Sequence, residues 1–396
     1  MYLSPFGSAF LDGTCETTTR GDRRPPMKIE RIETYRRDDR VTLVKVYTDD
    51  GIEGLGQTSV FRAGLTAQVL HEMVAPAFLG SDPWDLEAIV ADVVRRHYKF
   101  AGSFLTRALT GLDTAVWDVL GKATGQPVHK LLGGCYRSEI GMYASSMSRT
   151  ITPSDEADRL AAIVAEQGFA GVKIRIGQEM GRDHDASPGR TEAIIPQLRS
   201  ALGDDVIIHA DANGAFTPGR AIRVGRMLED QGYGHFEEPC PYAETDNIRR
   251  VNAALDIPVA GGEHDTSMEQ IYRMVAGRAV DIIQPDIGYL GGVSRARRVA
   301  ALAETAGIPC TPHCSSRSMI QIFTLHLAAA MPSVFQLQEW SIEPDPQMEG
   351  IYAPLPQVRN GAVRIDDRPG WGVELDPAFE KQATLMTGGK IISEAA

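Results

Sequence analysis

Asp211, Glu237 and Glu263 follow one another at intervals of 26 residues, and Asp286, His313 and Glu339 continue at 23, 27 and 26. Each closes a short apolar run: VIIHAD, GHFEE, PVAGGE, VDIIQPD, PCTPH and VFQLQE. Carboxylates at three successive run ends make a site for a hard divalent cation, since oxygen ligands suit Mg²⁺, Mn²⁺ or Ca²⁺. Zinc would ask for His or Cys, and neither stands at these three positions. His313 comes one run after Asp286; a carboxylate beside an imidazole fixes its tautomer and raises its basicity, the arrangement of a general base. Glu238 is adjacent to Glu237, but side chains alternate along a strand, so only Glu237 is expected to face the site. His209, His235 and His264 flank the ligand positions and are expected to point elsewhere. In GVKIRIG, Lys173 and Arg175 share one strand face, from which both cations can hold an anionic substrate or an enolate oxygen.

A beat of roughly 25–30 residues is the length of one strand–helix unit of a barrel whose chemistry sits at the carboxyl ends of its strands. From about residue 138, eight strand candidates alternate with helical stretches, many of them closed by Gly. Strand–helix alternation implies parallel strands and right-handed crossovers. An open doubly wound sheet would carry a GxGxxG turn after its first strand, and IGMYASSMSR has none. Residues 27–60 read as strands, with an Asp50–Gly51 hairpin signal, and 64–130 read as helices, strongest in FLTRALTGLDTAVWDVLGKATG. The expected architecture is therefore α/β. Residues 27–137 form an α+β cap, 138–340 a modified TIM barrel, and 341–396 a turn-rich segment returning to the cap.

Composition narrows the partners. With 40 basic and 52 acidic residues the chain carries −12, which disfavours nucleic acid or an anionic membrane surface. No apolar run reaches the roughly 18 residues of a membrane span. Five scattered cysteines without a CxxC pair predict reduced thiols and a cytoplasmic setting. Residues 1–26 are polar, and Arg23–Arg24 is followed by no apolar region, so they read as a disordered leader rather than an export signal.

Taken in order, these motifs resemble the mandelate racemase subgroup of the enolase superfamily, over about residues 27–375. GLDTAVWDVLGK is similar to that family's cap helix, and VKIRIG to its second-strand basic motif. DANGAF, FEEP and GGE resemble its three metal-ligand strands, and QPDIGYLGGVS with PHC its Asp–His dyad. The resemblance implies a (β/α)7β barrel under an α+β cap. It also implies Mg²⁺ on Asp211, Glu237 and Glu263, and a carboxylate substrate that loses its α-proton to give an enediolate. Enolase-superfamily sites are known to pair a Lys or His base with Mg²⁺, so that pairing is carried over rather than deduced. His313, oriented by Asp286, is carried over as base or acid. Glu339 is carried over as an acid that must be protonated to donate to the substrate carboxylate. Asn213, in DANGAF, and Ser145, in ASSMSR, are expected to contact substrate, and the family's habit predicts a homo-oligomer.

One departure steers the reaction. Racemases of the subgroup carry Lys-x-Lys on strand two, whereas the second position here is Arg175. A guanidinium stays protonated, with a pKa above about 12, and makes a poor base. Racemisation needs acid–base groups on both faces of the carbon; elimination of water needs one base and one acid, and one His can serve in turn. The expectation is therefore dehydration of a sugar acid to a 2-keto-3-deoxy acid. The alternative is a racemase, epimerase or cycloisomerase, in which Lys173 would reach the second face. A binding protein with a relict site would have no reason to keep all three carboxylates. Substrate choice is expected to lie in the segments 59–64, 144–149 and 177–189.

Overall fold

The structure, a computed structural model, describes residues 27–393. The expected leader, 1–26, lies outside the described residues. An antiparallel sheet is built on β1 (Ile29–Arg36), β2 (Thr42–Thr48) and β3 (Glu53–Gln57). Gly51 turns β2 into β3 with φ +86°, the conformation that the Asp–Gly pair favours. A 22-residue helix, Ser103–Thr124, packs on β3 and ends at Gly125 in the left-handed conformation. It comes so close that a Cβ on Gly56 would collide with the carbonyl of Gly111.

Parallel strands β4 (Glu139–Ser145), β5 (Gly171–Arg175), β6 (Ile207–Asp211), β7 (His235–Glu237), β8 (Val259–Gly261) and β9 (Ile282–Ile283) pair in sequence order. β10 (Gln338–Ser341) then pairs with β4, curling the sheet into the (β/α)7β form. The predicted seventh strand, PCTPH, departs from expectation: it makes only isolated bridges, Cys310 to Ile283 and His313 to Asp286. Pro309 and Pro312 lack the N–H groups a ladder needs, which confines pairing to single residues. Val172 and Ile174 of β5 are buried in the apolar core, while Lys173 and Arg175, at the other parity, are buried in the polar interior.

After β10 the chain first adds strand Ala362–Arg364 antiparallel to β4, then returns to the cap, where Thr384–Thr387 pairs with β1. Asp118 clamps this return. Its fully buried carboxylate accepts from Leu55 N at 2.7 Å, Trp371 N at 2.8 Å and Lys122 Nζ at 2.8 Å. It therefore ties β3, the long helix and the returning segment at one point.

Removing that carboxylate leaves two buried N–H groups and one half-buried ammonium without their partner. Asp118→Ala is expected to cost about 3 kcal/mol, read as a lowered Tm, with faster amide exchange at Leu55 and Trp371. Unchanged exchange at those two amides would show that the clamp holds nothing.

Candidate active site

Strand register determines which side chains meet. Lys173 pairs across the sheet with His209, Arg175 with Asp211, His209 with His235 and Asp211 with Glu237. On the other side Tyr143 pairs with Glu339 and Ser145 with Ser341. These residues share one parity and so line the inside of the barrel in two tiers. Tyr143, His209 and His235 lie in the deeper tier, Arg175, Asp211 and Glu237 in the upper one.

Lys173 occupies the centre. Its buried ammonium lies 2.7 Å from Glu237 Oε1, 2.8 Å from Glu339 Oε1 and 3.7 Å from Asp211 Oδ2. Burial alone would discharge it, but Glu237 and Glu339 raise its pKa above the usual lysine value. Burial also opposes ionisation of Glu237, yet Lys173 and a hydrogen bond from His235 hold it well below the ordinary glutamate value.

Glu339 receives three donors: Lys173, Ser145 Oγ at 2.7 Å and Cys314 N at 2.8 Å. Lys173 and His313 outweigh its burial and draw its pKa down to about 2. The resemblance implies a protonated Glu339; the neighbours Lys173, Ser145 and Cys314 N all donate to it and favour its carboxylate form.

Asp286 is fixed from two sides. Its Oδ1 accepts from Tyr289 N at 2.9 Å, capping the short helix Ile287–Leu290, and its Oδ2 lies 2.7 Å from His313 Nδ1. With Nδ1 so engaged, His313 turns Nε2 toward the site, 3.6 Å from Glu263 Oε2 and 3.9 Å from Glu339 Oε2. Burial would depress this imidazole, but Glu263, Glu339 and Asp286 together raise it to about 10. The cap meets the site here: the Arg107 guanidinium lies 3.7 Å above the Tyr289 ring, whose centroid is 6.0 Å from that of His313.

Asp211, Glu237 and Glu263 each place a carboxylate oxygen within 4.8 Å of the others. They are buried, and among the described residues Glu263 Oε2 has no hydrogen-bond partner. Burial, with Glu238 and Glu237 beside it, pushes Glu263 up to about 8. A crowd of buried carboxylate oxygens, one of them unpartnered, fits a hard divalent cation.

Two expectations need correction. Glu238 does not turn away: φ +41° at this non-glycine residue breaks the strand alternation. Its buried carboxylate lies 3.5 Å from His264 Nε2, and Glu238, Glu263 and His264 form a second cluster of the same size. His264 Nε2, expected to point elsewhere, lies 3.2 Å from Glu263 Oε1, and His209 and His235 do not point elsewhere either. They stack inside the barrel with ring centroids 3.7 Å apart, and His235 Nε2 faces Glu237 Oε2 at 3.3 Å. Burial lowers the pKa of both and favours neutral rings. The i, i+2 spacing His235–Glu237 and His209–Asp211 already carried that signal. So did Gln284–Asp286, since Gln284 Nε2 donates to Glu237 Oε2 at 2.8 Å.

Asn213 and Ser145, expected to contact substrate, are tied to the site's own residues. Ser145 donates to Glu339. Asn213, at φ +42°, donates its N–H to Asp211 Oδ1 at 2.8 Å and offers Oδ1 to Arg175 at 3.0 Å and to Arg149 at 2.7 Å. Arg175 also forms an ion pair with Asp211. Arg149 closes the segment 144–149 expected to bear on substrate choice, but nothing singled it out there, because it lies past the end of β4 in a loop where no period assigns a direction.

Comparison with known proteins agrees with this geometry. The profile described as Enolase C-terminal domain-like matches residues 155–379, and that of the Mandelate racemase / muconate lactonizing enzyme N-terminal domain matches 14–133. An arabinonate dehydratase from Saccharolobus solfataricus is 30% identical over 86% of this chain and 90% of its own. A Roseobacter denitrificans protein named provisionally as a racemase is 48% identical, with a TM-score of 0.89 over 91% of this chain and 99% of its own. A mandelate racemase/muconate lactonizing protein from Paracoccus denitrificans, solved with magnesium, is 28% identical, with a TM-score of 0.86 over 92% of this chain and 99% of its own. Barrel, cap, strand-end carboxylates and these two matching profiles lead to one conclusion: the chain belongs to the mandelate racemase/muconate lactonizing enzyme family of the enolase superfamily.

Proposed function

We propose that this protein is a Mg²⁺-dependent dehydratase that converts a sugar acid to a 2-keto-3-deoxy acid. The observation that carries the reading is an asymmetry. The His313–Asp286 dyad, at 2.7 Å, presents one free imidazole nitrogen, whereas the cations of β5 are engaged. Lys173 is held by Glu237 and Glu339, and Arg175 by Asp211 and Asn213. One proton acceptor facing a pair of fixed cations suits elimination, which needs a base on one face only.

Asp211, Glu237 and Glu263 are the residues to hold Mg²⁺, which when bound polarises the substrate carboxylate as a Lewis acid. With its pKa raised to about 10, His313 acts as base in its neutral form: Nε2 takes the proton from the carbon next to that carboxylate, and the C–H electron pair moves into the enediolate. Lys173, fixed below the site and held protonated, offsets the developing negative charge. The pair then returns to form the C2–C3 double bond as the C3–O bond breaks. The protonated His313 gives its proton to the departing hydroxyl, which leaves as water. The enol product tautomerises to the keto acid. Asp286 keeps Nδ1 protonated and Nε2 directed at the substrate through both transfers. The similarity to an arabinonate dehydratase supports this reading, and the likeness to a protein named as a racemase keeps proton exchange without elimination as the reading to test against it.

Incubation with a panel of sugar acids in deuterated water is expected to yield an α-keto product, trapped as its semicarbazone. Deuterium entering recovered substrate with no keto acid formed would replace dehydration by epimerisation. His313→Asn should lower kcat by about 10³-fold while Mg²⁺ affinity, followed by titration calorimetry, stays within a few-fold of the parent. Chelation should abolish turnover and added Mg²⁺ restore it. Glu263→Gln should weaken Mg²⁺ binding by about 100-fold; equal affinity in that variant would remove Glu263 from the ligand set.

A further inference from the structure

Three guanidinium groups gather on one side of the barrel mouth: Arg149 from the loop after β4, Arg175 from the end of β5, and Arg190 from the helix Arg190–Leu202. Arg190 is spent on backbone carbonyls, donating to Ile151 O at 3.2 Å and Arg175 O at 2.8 Å. Arg175 and Arg149 both donate to Asn213 Oδ1, at 3.0 and 2.7 Å, so two cations share one neutral acceptor. Arg149 Nε donates to Gly177 O at 3.0 Å, and no bond of its Nη1 is seen among the described residues. Among the described residues, the one ion pair made by any of the three is that of Arg175 with Asp211, which also belongs to the candidate cation-binding trio. Burial, with Arg175 and Arg190 close by, depresses Arg149 to about 10.

Such an arrangement is costly for the protein alone. Like charges repel, and a half-buried guanidinium is short of both water and a counter-ion. Glu179 lies within electrostatic reach of Arg149, and Glu156 and Asp185 of Arg190, but among the described residues none of these carboxylates forms an ion pair with either guanidinium. Glu238, Glu263 and Asp265 stand together near His264, and Glu339 is bound to Lys173. The mouth is thus cationic at Arg149 and Arg175, and anionic and aromatic at Glu238, Asp265, Tyr242 and Tyr289. A planar fork with an open nitrogen recognises a carboxylate through paired charge-assisted hydrogen bonds. Asn213 joins the two guanidiniums to Asp211, so Arg149 stands two hydrogen bonds from the candidate cation site.

We propose that Arg149, with Arg175 beside it, forms a second anion subsite that binds the far carboxylate of the substrate, making the preferred substrate a sugar diacid rather than a monoacid. This rests on reading the site as one for sugar acids, and it adds what the site does with the end of the chain that does not react. The near carboxylate occupies the Asp211–Glu237–Glu263 region, the far carboxylate occupies the Arg149 fork, and the hydroxyl-bearing carbons span the distance between. Arg149 then sets specificity and takes no part in proton transfer.

The test uses the full chain loaded with Mg²⁺. Calorimetric titration with adipate and hexanoate, a diacid and a monoacid of equal length that cannot be dehydrated, should show adipate binding about 30-fold tighter. In Arg149→Gln that preference should collapse to less than about threefold, and Arg149→Lys, which keeps the charge but loses the fork, should fall between. In turnover, the ratio of kcat/KM for a hexaric acid over the hexonic acid of matching configuration should drop at least about tenfold in Arg149→Gln, mainly through KM. Equal binding of adipate and hexanoate by the parent protein, or an equal loss on both substrates in the variant, would overturn the subsite while leaving dehydration standing. Strong, Arg149-dependent adipate binding in a protein that forms no keto acid from any sugar acid would keep the subsite and remove the dehydration reading.

Discussion

A buried ammonium holds the site together. Lys173 is fully enclosed, and its partners Glu237, Glu339 and Asp211 come from β7, β10 and β6. One cation therefore spans the barrel from its second strand to its last. Desolvating a charge costs several kcal/mol, and only close, well-directed partners offset it. The geometry of every neighbour follows from that requirement. Glu237 and Glu339 are held as carboxylates, and Ser145 and Cys314 N supply the remaining donors to Glu339. The upper tier is thereby pre-set at the positions where charge develops during reaction.

Below it, the barrel interior is filled with neutral polar rings instead of aliphatic side chains. His209 and His235 stack face to face, Tyr143 meets His209 edge-on with centroids 5.2 Å apart, and Lys173 lies 5.6 Å from the Tyr143 ring. Rings of this size fill the taper of a small barrel while offering hydrogen bonds to the tier above. His235 and Gln284 both bond Glu237, so the carboxylate at the centre of the ligand trio is oriented from its own strand, β7, and from the residue that follows β9.

Much of this was legible before any coordinates. The 26-residue beat placed Asp211, Glu237, Glu263, Asp286, His313 and Glu339 at the same phase, and the structure brings their side chains together. Alternation at Lys173 and Arg175 also read directly. What escaped has specific causes. Glu238 has a left-handed backbone, which cancels the alternation rule at that residue. His209 and His235 obey the rule, and their i, i+2 spacing to Asp211 and Glu237 places them on the inner face. PCTPH looked like a strand by its apolar character, although two prolines had already removed the donors for a ladder. The three donors that meet Glu339 come from β4, β5 and the segment after His313, a convergence that no local pattern contains. Arg149 sits in a loop, where period and parity say nothing about direction.

The pairing of Thr384–Thr387 with β1 has a consequence for how the chain comes into being. Partners such as Glu33 and Thr387 are separated by nearly the whole length of the described chain. During synthesis β1, β2 and β3 emerge long before Thr384–Thr387, and until then β1 is an open edge of their sheet. The barrel must assemble beneath an unfinished roof, and closing the roof is the event with the longest loop to close. Truncation near the carboxyl end would thus leave a formed barrel beside an exposed strand edge, a template for pairing with another chain. Thr384–Thr387 covers β1, and the short exposed strand Lys390–Ser393 becomes the edge in its place.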